Sequence, residues 1–515
     1  MTTKGGCGDT TVSQSDVAWL RRARKLHEFK CTRHPALSAL VDEMTQCVLK
    51  SYDRKPRLEK IRRHVEVIVA NLFAAWCFDP AAPAISYSRS KDDYTGNRLS
   101  YGMLLHHVIP SLSAPGADWI ANYCGIADDL IARMSANDKL TLRFAAVLCG
   151  PSVIETSSEF EVIQLRGPKN RLRVSKDGRR KKEASTVPHE SVPRLQKAIE
   201  LFSAQLIPIN ALLSRTFVGL LVEDSVLLDR RTWISKREPT SGDIVVMPDF
   251  TQRQLYRVFN NVTVETTELN QGGRLQGGFW QSLPKPLRRR LRINAEPAWE
   301  IDYVAMEVSL AYAERELNWA DFFSDPYLPP GVPEDERGAY KSIFLMMLNS
   351  AHPNEALGAA LKAEEATSLL GEQEVARRIR RLTDMHRPHV EIYGKRAGME
   401  RMFREAQIAT AVVQDLARRG VPCLPIHDSF MVPASNLADA QRIIVSEFER
   451  QTGIAARTEL EAPCIPATLT ASIADPSRYS IFLKALASHE ATHGRVVVTG
   501  QPLLAPPSVR AANAS

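Results

Sequence analysis

One stretch of nine residues near the C-terminal end sets the tightest condition on the fold: Leu424-Pro-Ile-His-Asp-Ser-Phe-Met-Val432, apolar on both sides of the polar triplet His427-Asp428-Ser429. Two apolar runs this short, broken by polar residues, read as a buried hairpin. A carboxylate in such a place needs a cation or hydrogen-bond donors around it. A second segment, Ala298-Trp-Glu-Ile-Asp-Tyr303, reads as a strand that delivers Asp302 at its end, and Met306, Leu310 and Ala313 then fall on one face of a helix. Two carboxylates on adjacent strand ends can hold a pair of divalent metal ions. Such a pair clamps the attacking and leaving oxygens in phosphoryl or nucleotidyl transfer.

The chain has 515 residues, room for two to four domains at about 100–200 residues each. Its net charge of +7 matters only where it clusters: from Arg166 to Lys182 nine Lys/Arg residues stand against one acid, Asp177, so this segment alone carries +8. It reads equally as a solvated loop or as a hairpin that contacts phosphates and releases their counterions. Just before it, Glu161–Leu165 has the pattern of a strand, closed by Gly167-Pro168. Val65, Ile68, Leu72 and Trp76 share one face of a buried helix, and residues 101–148 read as short helices parted by Pro110, Pro115 and Gly125. Val192–Leu213 is again helical in period, and Phe217–Val222 fits a strand or a buried helix end. Residues 1–16 and 485–515 are polar or rich in Pro, Ala and Ser, so both are expected to be disordered. There is no apolar run of about 18 residues to cross a membrane, and no apolar stretch of a secretory signal at the N-terminus. The eight cysteines include no C-x-x-C pair, which argues against a zinc ribbon or a disulfide scaffold. A reduced, cytoplasmic protein is the expectation.

Five motifs follow one another along the C-terminal half: Gly273-Arg274-Leu275, Leu287-Arg-Arg-Arg-Leu-Arg292, Asp302-Tyr303-x-x-x-Glu307, Arg337-x-x-x-Lys341 and His427-Asp428-Ser429-Phe430. In this order they resemble the palm and fingers of family A DNA polymerases, with an admixture from the related single-subunit phage-type RNA polymerases. The first resembles that family's T-G-R-L, whose arginine touches the primer–template minor groove. The second stands where the family has R-R-I-R. The third resembles motif A, with Asp302 as the metal-binding aspartate and Glu307 as the glutamate that excludes a ribose 2′-OH. The fourth resembles the start of motif B, whose basic side chains hold the incoming triphosphate. The last resembles motif C, which is H-D-E in the DNA polymerases and H-D-S in the phage-type RNA polymerases; its histidine is not a metal ligand.

The resemblance implies an α+β fold: a right-hand polymerase palm with small helical fingers over residues 251–484, preceded by a mostly helical N-terminal half. That half divides into a helical region at 17–150 and a basic, thumb-like, nucleic-acid-contacting region at 151–250. The implied function is template-directed nucleotidyl transfer, foremost by a DNA polymerase of replication or repair, with two Mg²⁺ ions on Asp302 and Asp428. Nucleoside triphosphate would meet Arg337, Lys341, Glu307 and Asn349. A DNA primer–template would meet Arg274 and His427, and its backbone Arg166, Arg179, Arg180, Lys181 and Lys182. The chain departs from the family at Asn349-Ser350, where motif B ends in Tyr-Gly, although an asparagine amide can still donate to Glu307. Lys341 and Asp428 are only 87 residues apart, so the fingers should be minimal. Residues 1–250 show no evident spaced carboxylates of a proofreading exonuclease.

Plainer roles exist for each residue. Asp302 fits a helix cap, Arg337 and Lys341 a solvated helix face, Glu307 a surface glutamate, Arg274 a turn beside glycines, and Met346-Met347 core packing. Two other functions stay open: an RNA-making primase or transcriptase, which the H-D-S triplet permits, and a catalytically degenerate palm that binds nucleic acid, which Asn349-Ser350 permits.

Overall fold

The structure, a computed structural model, describes residues 23–51, 58–81, 83–94, 99–123, 131–147, 153–174, 180–238, 242–245, 248–294, 296–363, 371–393, 397–464 and 476–494. It begins with β1 (Arg24–Lys25) and β2 (Lys30–Thr32), then α1 (Pro35–Lys50) and α2 (Leu58–Phe78). Val65, Ile68 and Leu72 of α2 are fully buried, as their spacing requires. Next come β3 (Ala84–Ser88), β4 (Ile120–Tyr123), β5 (Ile131–Ala136), α3 (Asp138–Ala146) and β6 (Ile154–Thr156). The strands make a four-stranded sheet in the order β1-β3-β5-β4 and a β2–β6 pair. Helix still predominates over strand between residues 23 and 147, but the sheet was not expected from the sequence. Ala132, Met134 and Ala136 are buried at period two, but small residues carry so little apolar contrast that this alternation does not stand out in the sequence.

The basic segment forms β7 (Ile163–Val174) and β8 (Arg180–Thr186), followed by α4 (Gln196–Ser214) and β9 (Val218–Leu220). The hairpin of β10 (Ile234–Glu238) and β11 (Gly242–Val245) is a separate two-stranded unit. β12 (Tyr256–Phe259) and β13 (Gly272–Gln276) then join the basic hairpin in one sheet, ordered β13-β12-β7-β8. α4, from the segment expected to be thumb-like, lies in the main core against β7 and the later helix Ala397–Arg418.

β14 (Leu291–Ile293) and β15 (Glu296–Tyr303) open the segment that carries the motifs, and α5 (Met306–Ala313) follows. α6 (Arg337–Leu348), α7 (Pro353–Lys362) and α8 (Glu372–His386) pack around a core of their own that includes Ile343, Phe344, Met347, Val375 and Leu382. α9 (Ala397–Arg418) leads back to β16 (Leu424–Ile426) and β17 (Ser429–Pro433), then α10 (Leu437–Thr452) and β18 (Thr458–Glu461). The resulting sheet runs β16-β17-β15-β14-β9, with β18 paired to β15. The architecture is thus mixed α/β with several sheets.

A last helix, α11 (Ser480–His493), lies where a disordered tail is expected from residue 485. The Asp224 carboxylate accepts from the Ser480 amide and hydroxyl and from the Ile481 amide, so a residue 256 positions away satisfies the first turn. The expected disordered segment 1–16 and the rest of the tail from 495 fall outside the described residues. Among the described residues no helix is long and apolar enough to cross a membrane.

Candidate active site

β15 pairs with β17 on one side and β18 on the other, and the register sets Asp302 opposite both Ser429 and Glu459. Ile301 and Tyr303 are buried, and the Tyr303 hydroxyl donates to the Ile444 carbonyl of α10 at 2.6 Å. Strand alternation therefore sends Glu300 and Asp302 to the opposite face. Asp302 caps nothing: the residue before α5 is Ala305, and no side chain caps that helix. Asp428 sits in the two-residue turn between β16 and β17, closed by the Ile426–Ser429 pair. The turn is tied to β15 through the Tyr303 amide, 3.4 Å from the Asp428 carbonyl. From below, Trp280 Nε1 and Gln281 Nε2 both donate to the Pro425 carbonyl at 3.0 Å.

Two left-handed non-glycine residues lie beside the carboxylates. Ala305 (φ 54°) follows Asp302 by three residues and His427 (φ 57°) immediately precedes Asp428. A left-handed non-glycine residue costs about 1–2 kcal/mol, so neither is adopted without compensation.

The strand pairing brings Asp428 near enough for its charge to act on Asp302. Burial first, then the charges of Asp428 and Glu300, push the Asp302 carboxyl up to about 7, while Lys341 pulls it down. Asp302 is nonetheless exposed. Among the described residues no group of three or more His, Cys, Asp or Glu side chains is arranged to hold a metal ion. Crowded like charges in a pair fit a hard divalent cation of the Mg²⁺ kind, which keeps several waters and takes its remaining ligands from substrate phosphates. Asp302 and Asp428 would hold it.

Asn349, just past the end of α6, donates from Nδ2 to Glu307 Oε1 at 2.7 Å and to the Leu345 carbonyl at 2.8 Å. Gly398 is required behind it, because a Cβ there would lie 1.8 Å from Asn349 Oδ1. Burial raises the Glu307 carboxyl, against the pull of Arg401 and of the Asn349 hydrogen bond. Lys341 is exposed, with Nζ 5.4 Å from the centre of the buried Tyr327 ring. Arg337 stands at the same distance over that ring, but its Nε is bound to the Asp325 carboxylate. Of the two expected triphosphate ligands, Arg337 already has an acid partner, whereas Lys341 is exposed and near enough to Asp302 to lower its carboxyl.

Gly272 and Gly273 both have φ near +80°, and a Cβ at Gly273 would lie 2.9 Å from Arg257 and Phe259. Only glycine fits there. The following residue, Arg274, makes a bidentate contact at 2.7 and 2.6 Å with Glu405 of α9. Burial pushes the Glu405 carboxyl up to about 7. Burial opposes the Arg274 charge most strongly, but the hydrogen bonds it donates to Glu405 and the attraction of the nearby carboxylates together outweigh it, and the guanidinium is raised. The two shifts disagree on whether the pair is ionised, and the short fork-to-fork geometry is that of two charged groups. His427 is held below the ordinary imidazole range by the protein around it and then by Arg274. Arg166 is exposed on β7. Arg180, Lys181 and Lys182 lie in β8 opposite Val174, Arg173 and Leu172, and Arg179 falls outside the described residues.

Sequence reasoning missed Glu405, Tyr327, Asp325 and Glu300. Glu300 alone left a signal, the two-residue spacing from Asp302; Glu405 is 131 positions from its partner, with no local pattern to betray it. No protein-family model matches the chain, and a search of curated proteins found no significant match.

Proposed function

We propose that this chain carries out template-directed nucleotidyl transfer, foremost as a DNA polymerase of replication or repair. The observation that carries the reading is the convergence of Asp302 and Asp428 at neighbouring strand ends, where burial and then the Asp428 charge push the Asp302 carboxyl up to about 7. Mg²⁺, when bound there, stabilises charge on the attacking and leaving oxygens. The protein's own groups do the rest. Lys341 neutralises charge on the triphosphate. Arg337, oriented by Asp325, adds a second positive charge behind it. Glu307, held by Asn349, occupies the space a ribose 2′-OH would need and so rejects it by a clash. The sheet β13-β12-β7-β8 runs from Arg274 to the basic hairpin, a span of about 14 Å at ~4.8 Å per strand, and forms a platform for a duplex backbone.

Primer extension on defined templates, with dNTPs and rNTPs supplied separately, tests the reading. The expected result is incorporation of dNTPs with leaky exclusion of rNTPs. Glu307→Ala should raise rNTP use relative to dNTP by about tenfold, or ~1.4 kcal/mol of discrimination. A wild-type protein that prefers rNTPs would instead be a primase or transcriptase. No incorporation on any primed or unprimed template would make it a nucleic-acid-binding palm.

Neutralising Arg179, Arg180, Lys181 and Lys182 together should weaken duplex binding and flatten its dependence on salt, by roughly 0.9 in log–log slope for each phosphate that is no longer neutralised. Fluorescence anisotropy across a salt series reads this directly. An unchanged slope returns the segment to a solvated hairpin.

A further inference from the structure

Glu300 lies two residues before Asp302 on β15, on the same face of the sheet, and only 6 % of it is exposed. Its Oε1 accepts a 2.8 Å hydrogen bond from the Ser429 hydroxyl, and the Arg288 guanidinium approaches the same oxygen at 3.5 Å. Oε2 is buried and has no hydrogen-bond partner, and Arg288 Nε is also without one. Leaving one oxygen of a buried carboxylate without a donor is strongly unfavourable.

The surroundings say what kind of group is missing. Ser429, directly opposite Asp302 in the register, carries no charge of its own, but its hydroxyl fixes a carboxylate that does. On the neighbouring strand Glu461, opposite Glu300, is answered by Lys285 at 3.0 Å and Arg289 at 3.8 Å. Glu300 has one cation at the edge of contact, on the oxygen that Ser429 already holds. The three carboxylates are not gathered as a ready-made cage, so direct ligation by all three is not preformed. A hydrated divalent cation needs no such cage, because its waters donate hydrogen bonds to acceptors one shell out.

We propose that Glu300 is the outer carboxylate of the cation site, its Oε2 accepting a hydrogen bond from a water carried by the divalent ion that Asp302 and Asp428 hold. The proposal rests on the reading of those two aspartates as cation ligands. Glu300 is then a positioning residue: it orients the hydrated ion and does not meet substrate. Arg288, by partly neutralising Glu300, works against the cation.

The test is titration of the full chain with Mn²⁺, without nucleotide, following free Mn²⁺ by electron paramagnetic resonance, with thermal unfolding of the metal-free protein alongside. Glu300→Gln should weaken Mn²⁺ binding by about tenfold or more while the metal-free protein stays folded. Arg288→Gln, which frees the carboxylate from its competitor, should strengthen binding. A residue that served only to pair with Arg288 would not produce these opposite changes. If Asp302→Asn and Asp428→Asn lose Mn²⁺ while Glu300→Gln binds as the wild type does, the inference about Glu300 is overturned and the aspartate pair stands. If none of the four variants alters Mn²⁺ binding, the cation site itself is wrong and the inference goes with it.

Discussion

Asp302→Asn and Asp428→Asn will each lower primer extension in Mg²⁺ by about three orders of magnitude. A metal pair contributes several kcal/mol of charge stabilisation in the transition state, at ~1.4 kcal/mol per decade of rate, and an amide is no anionic ligand. The same change at Asp302 should make the metal-free fold more stable at alkaline pH. Burial and then Asp428 lift this carboxyl from 3.8 to about 7. A carboxyl raised on folding binds its proton more tightly in the native state, so stability falls as pH climbs from the unfolded value through the folded one. At pH 8 the wild type bears the whole penalty and the asparagine variant none of it; near pH 4 the two converge. Because the carboxyl is exposed, solvent screening reduces the nominal effect to roughly 1 kcal/mol. Thermal unfolding at both pH values, beside single-turnover extension, checks both halves. Near-wild-type extension by either variant would end the two-aspartate assignment.

Trp280→Ala is expected to be the most damaging change outside the site, at about 3–5 kcal/mol of stability. Its ring is fully buried and packs edge-to-face on Phe279, and its indole nitrogen holds the Pro425 carbonyl at the base of the Asp428 turn. Trp280→Phe keeps most of the apolar packing but not the hydrogen bond, so about 1 kcal/mol should separate it from wild type. Urea unfolding midpoints measure both. An alanine variant within about 1 kcal/mol of wild type would mean that the turn is anchored elsewhere.

The hairpin around Asp428 and the strand that delivers Asp302 were legible in the chain, whereas the helix from Arg337 was expected only through the resemblance. The hairpin and the strand are each encoded within about ten neighbouring residues by apolar periodicity and a turn signal. The juxtaposition of Glu307 with Asn349 was legible only through the resemblance, and the 2.7 Å contact between them matches it. The four-stranded sheet of the N-terminal region was not legible, because Ala132, Ala136 and short strands give weak contrast. Nor was the last helix, whose cap comes from Asp224.

Charge roles divided along the same line. Sequence alone determined which residue types stand on which strand and helix, since backbone period and side-chain polarity are local properties. Tertiary structure decided what each charge does: Arg274 is tied to Glu405, Arg337 to Asp325, and Glu300 is sealed under Ser429 with one oxygen unanswered. A charge is fixed by its nearest ionic or hydrogen-bond partner and by the water it loses. In this protein those partners lie 131, 12 and 129 positions along the chain, brought within hydrogen-bonding reach only when the sheets and helices close on one another.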